Sequence, residues 1–113
     1  MTGCNGCGGG DFNVGFEYAA EKGNCSEDDY SYMALNGWCE DTKYPIVNHH
    51  TTGFERVERG SSLSLKEELL NGPVSISIEA DQPVFHHYSS GVINPADCGT
   101  VHDHAVLAIG YGN

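Results

Sequence analysis

The chain has 113 residues, 39% of them apolar, and carries 16 acids against 5 bases for a formal charge of −11. That composition suits one modest globular core and is neither that of a disordered chain nor of a fibrous one. With no cluster of Lys and Arg to neutralise phosphates, nucleic acid is not an expected partner, and the longest apolar run, around His104–Ile109, is far too short to cross a bilayer.

Glycine crowds the opening Gly6-Cys7-Gly8-Gly9-Gly10. Phe12, Phe16, Ala19 and Ala20 then recur at helical spacing and Gly23 supplies a stop, which predicts a helix over 11–22. From Asn24 to about Thr51 no period is sustained, and Tyr, Asp, Asn and Pro punctuate a long irregular excursion. The β-branched content of Thr51–Val57 predicts a strand. Ser64-Leu65-Lys66-Glu67 has the form of a capping box and predicts a short helix from Ser64 to Asn71-Gly72, closed by Pro73. Val74, Ile76 and Ile78 alternate with Ser75 and Ser77, the pattern of a half-buried strand. His104–Tyr111 is nearly continuous in apolar residues, the pattern of a strand buried on both faces. The order is α+β, with a boundary expected near 45–52.

Five cysteines, Cys4, Cys7, Cys25, Cys39 and Cys98, lean towards an oxidising compartment, and their odd number prevents complete pairing within the chain. Asn24-Cys25-Ser26 fits the glycosylation acceptor pattern, in keeping with a secretory route. His104 opens the apolar run and follows Asp103. Its spacing alone leaves three roles open: general base, metal ligand, or a satisfied polar group of the core. His102 and His104 lie two apart on one strand and share a face, but two ligands are not a metal site, and His49, His50, His86 and His87 have no fixed relation to them. No metal and no cofactor is expected.

Read in order, several short motifs carry a resemblance. Gly6-Cys7-Gly8-Gly9-Gly10 resembles the Gly-Cys-Asn-Gly-Gly of papain-like cysteine proteases, followed at matching distance by Gly15-Phe16-Glu17-Tyr18. Tyr30-Ser31-Tyr32 and Cys39 come next, then Gly72-Pro73-Val74-Ser75-Ile76, Phe85 and Tyr88-Ser89-Ser90-Gly91-Val92-Ile93. Cys98 to Val106, closed by Gly110-Tyr111-Gly112, is similar to the stretch around that family's catalytic histidine.

The resemblance implies a partial papain-like two-domain fold, with residues 1–51 part of a helical left domain, 52–113 part of a right-hand antiparallel β-barrel, and substrate between them. It implies a peptidase in which a cysteine thiolate attacks the scissile carbonyl and His104 takes and returns the proton. Gly9 and Gly10 match backbone that pairs with an extended substrate. Asp11, Phe12, Ser77, His102 and Ala105 match the main specificity pocket, and the Asp103 carbonyl matches an acceptor for a substrate amide. Implied partners are peptide or protein substrates and protein protease inhibitors, with neither nucleic acid nor membrane. The implied location is lysosomal, vacuolar or secreted.

The departures are equally specific. The sequence contains neither the family's Cys-Gly-Ser-Cys-Trp nucleophile motif nor its Asn-Ser-Trp-Gly, so the expectation is an internal part of such a protease, inactive by itself. Cys25 is an extra cysteine, Cys4 has no counterpart, and Cys7, Cys39 and Cys98 match cysteines whose family partners lie outside this stretch. The alternative reading is a non-catalytic module of the same fold that binds peptides or inhibitors.

Overall fold

In the computed structural model, which describes residues 3–47 and 51–112, the chain divides into two units, Met1–Arg56 and Val57–Asn113. The first is organised by α1, Phe12–Lys22. Asp11 caps it: its carboxylate accepts from the Asn13 N–H at 2.8 Å and from Asn13 Nδ2 at 2.6 Å. Gly23, at φ +75°, ends it and donates its N–H to the Ala19 carbonyl. Phe16 meets Phe54 with ring centroids 6.1 Å apart.

The excursion after α1 is pinned by side chains and, at its ends, by the Val47 N–H donating to the Asn24 carbonyl at 2.9 Å. The Tyr18 hydroxyl donates to Asp41 Oδ2 at 2.9 Å, Asn36 Oδ1 accepts the Cys7 N–H at 2.7 Å, and Tyr30 stacks on Tyr44 at 4.7 Å. Withdrawal from water, then the Asp41 carboxylate, keep the Tyr18 phenol protonated well above its ordinary range. No strand forms over the predicted 51–57. β-branched residues favour a pleated surface only where a neighbouring strand supplies one.

In the second unit α2 spans Ser62–Leu69. Its cap is Ser61, whose hydroxyl accepts the Ser64 N–H at 3.1 Å, so the helix starts ahead of the predicted Ser64. Ser64 instead occupies the third helical position, with Ser61 Oγ donating to its hydroxyl at 2.9 Å. Two strands follow, β1 at Val74–Ile78 and β2 at His104–Ala108, paired antiparallel from Val74↔Ala108 to Ile78↔His104. A one-turn helix, α3 at Pro83–His86, starts on proline within the connection between them.

β1 is half-buried throughout, as predicted. β2 is not buried on both faces: Leu107 is 57% exposed, and Ile109, just past its end, is 80% exposed. Among the described residues the sheet has two strands, so β2 has one neighbour and one open edge. Among the described residues no side chain is fully buried in either unit.

Candidate functional site

Directly opposed residues of an antiparallel pair share a face. The register therefore sorts the candidate residues of the second unit. Ser77 stands opposite Ala105 on one face, while His104 stands opposite Ile78 on the other, in line with Ile76 and Val106. His104 is the first residue of β2 and is exposed, so its imidazole is presented at the end of the sheet.

That end is fastened by two carboxylates in a crossed arrangement. The Asp103 N–H donates to the Ile78 carbonyl at 3.0 Å, a bond just outside the ladder that ties the segment before β2 to the end of β1. The Asp103 carboxylate accepts from the Ala80 N–H at 2.7 Å and the Asp81 N–H at 3.2 Å, across the strand pair. Glu79 does the converse: Oε2 accepts from the Thr100 and Val101 N–H groups, and Oε1 accepts from Gln82 Nε2. The Ala80 amide holds the Asp103 carboxyl below the usual range, helped by the Asp81 amide and the neighbouring His104. The Val101 amide does most of the same for Glu79, aided by Gln82 and Thr100 and opposed by the Asp103 charge. Gly99, at φ +71°, lies so close to the Glu79 carboxylate that a Cβ there would collide with it.

In the first unit Gly10 opposes Cys4 in an isolated antiparallel bridge, closed by a 2.8 Å bond from the Asn5 N–H to the Gly9 carbonyl. In such a pair the main chain of Gly10 faces away from Cys4. Among the described residues neither its N–H nor its carbonyl has a protein partner. A Cβ on Gly10 would meet Cys4 Sγ at 2.9 Å, whereas Gly9, at φ +99°, opens onto empty space. Asp11 is committed to capping α1, and Phe12, its first residue, is half-buried.

His102 is exposed in the turn before β2. His49 and His50 lie outside the described residues, and among those described no group of three His, Cys, Asp or Glu is placed to hold a metal ion. All five cysteines are free thiols. Cys25 Sγ sits 4.0 Å from the Tyr44 carbonyl. Glu79 and Gln82 escaped the sequence reading. An acid directly after the alternating strand was the available signal, but its reach to the Thr100 and Val101 amides needs the pairing of β1 with β2, which no local pattern supplies.

The model of the papain family cysteine proteases matches residues 1–113. The probable cysteine protease RD21C of Arabidopsis thaliana is 39% identical over 111 residues, covering 96% of this chain and 24% of that protein. The oryzain beta chain of Oryza sativa subsp. japonica is 38% identical over 109 residues, with 96% and 22% covered. The crystal structure of the Carica candamarcensis cysteine protease CMS1MS2 in complex with E-64 superposes with a TM-score of 0.91 at 34% identity, over 99% of this chain and 52% of that one. The bromelain protease from Ananas comosus in complex with the E64 inhibitor gives 0.86 at 34%, over 96% and 50%. The chain thus spans about a quarter of the curated relatives' length and about half of the solved structures, and it belongs to the papain family of cysteine proteases.

Proposed function

We propose that the chain supplies the histidine half of a cysteine peptidase's catalytic pair, with His104 as general base and acid and the thiol contributed from outside these 113 residues. The observation that carries this reading is the placement of His104: first residue of a fastened strand, exposed, and next to a carboxylate that is itself held by two amides. In the reaction, a thiolate attacks the carbonyl carbon of the peptide while the protonated imidazole gives its proton to the departing amine. The neutral imidazole then takes a proton from water, the hydroxide oxygen attacks the acyl carbon, and the carbon–sulfur bond breaks. The unpaired main chain of Gly10, with Gly9 bare beside it, suits an extended peptide lying as an added strand. Ser77 and Ala105, adjacent on the face away from His104, suit the lining of a side-chain pocket. Substrates are peptides or proteins, and protein protease inhibitors are the expected competitors.

The test is hydrolysis of a fluorogenic peptide by the protein expressed from its complete reading frame. Turnover that stops with a thiol-alkylating reagent or with E-64 supports the reading. A folded protein that binds peptides with no turnover from about pH 5 to 8, the span over which histidine titrates, would replace it by the binding-module alternative.

A further inference from the structure

We propose that Glu79, a residue outside the catalytic pair, positions His104 by holding the Gly99–Val101 turn that leads into β2. The inference rests on the reading of His104 given above. Glu79 directly follows β1 and Asp103 directly precedes β2, so the two acids flank the last pair, Ile78↔His104. The two carboxylates repel, and each is stabilised by amides of the opposite segment: Thr100 and Val101 for Glu79, Ala80 and Asp81 for Asp103. His104 thus begins a strand whose approach is held by Glu79 and whose preceding residue holds the segment following β1. Gln82 occupies the other Glu79 oxygen and fixes the carboxylate's orientation. The close, positive-φ Gly99 leaves the turn no room to close on Glu79 if any side chain is added.

The titratable groups at this end of the unit are Glu79, Asp81, His102, Asp103 and His104 itself. Of these, Glu79 is the acid whose two amide bonds reach the turn on the N-terminal side of the histidine. Without its charge the turn loses both acceptors at once and the imidazole loses its fixed starting point. A shift of about 1 Å in a catalytic group costs up to a hundredfold in rate.

The experiment uses the protein expressed from its complete reading frame and compares wild type, Glu79→Leu, Glu79→Gln, Gly99→Ala, His104→Ala and the exposed control Glu17→Gln. Two readouts are taken: kcat and KM on a peptide, and the pH profile of thiol alkylation. The profile is read only for variants whose circular dichroism and melting match wild type, so that unfolded chains, whose thiols titrate near the ordinary value, do not contribute to the inflection. Glu79→Leu and Gly99→Ala are expected to lower kcat by roughly ten- to a hundredfold with KM little changed. Their alkylation inflection moves up towards the ordinary thiol value of about 8.5, as the imidazolium no longer stabilises the thiolate. Glu79→Gln, which keeps one acceptor oxygen, falls between them and wild type, and Glu17→Gln matches wild type. If His104→Ala is inactive while Glu79→Leu keeps the wild-type kcat and inflection, the positioning role is overturned and the function stands. Full turnover in His104→Ala, or none in wild type, overturns the function and this inference with it.

Discussion

The 113 residues produced alone are expected to lack a cooperative fold, and the exposed surface shows why. The chain leaves 9200 Å² accessible, against about 6000 Å² for a folded monomer of its 12.1 kDa. Tyr32, Leu35, Trp38, Leu70, Val92 and Ile109 are each 75% exposed or more. At about 1.5–3 kcal/mol for burying a large apolar side chain, these six forgo roughly 9–18 kcal/mol, as much as the whole stability of an ordinary domain. Among the described residues β1 and β2 each leave an open edge, which favours association between chains. The assay is a denaturant titration read by far-ultraviolet circular dichroism and by Trp38 fluorescence. A shallow, non-coincident change and a water-like emission are expected, both replaced by one steep transition when the complete reading frame is expressed. A single cooperative transition of the 113 residues, with dispersed amide signals in an NMR spectrum, would refute the reasoning.

Three further outcomes follow from individual contacts, each measured in the protein expressed from its complete reading frame. Tyr18→Phe leaves the half-buried Asp41 carboxylate without its donor and should cost about 1–3 kcal/mol in a denaturant titration. Gly23→Ala forces a side chain onto φ +75°, ψ −171°, and should cost about 1–3 kcal/mol in the same titration. Glu79 and Asp103 titrate below their ordinary values, so their grip is complete above the normal carboxylate range and is lost as pH falls through the depressed values. Protection of the Thr100, Val101, Ala80 and Asp81 amides from hydrogen exchange should therefore persist below pH ~4, where ordinary carboxylates are half protonated, and vanish on further acidification.

Local signals read well where a single residue settles a boundary. Asp11 and Gly23 bracket α1, and the alternation in Val74–Ile78 gives β1 and its half-buried character. The start of α2 was misplaced because Ser61, Ser62 and Ser64 are all competent caps, and only the backbone geometry selects Ser61. The burial of β2 was overread because an apolar run reports what a strand can cover, not whether a neighbour is present to cover it. α3 is a single turn with no period to detect. At the site, the motif around His104 was legible through resemblance alone, since spacing left three roles for that residue. The carboxylates that fasten it depend on a strand register set across 25 connecting residues, from Glu79 to Asp103, which no window of the sequence contains.

The central claim is that His104 moves the proton. Its most direct measurement is peptide turnover by His104→Ala beside His87→Ala, a histidine in the exposed turn after α3, in the protein expressed from its complete reading frame. Loss of about a thousandfold or more in kcat for His104→Ala, with His87→Ala near wild type, is the predicted result. Equal activity in the two variants would contradict it.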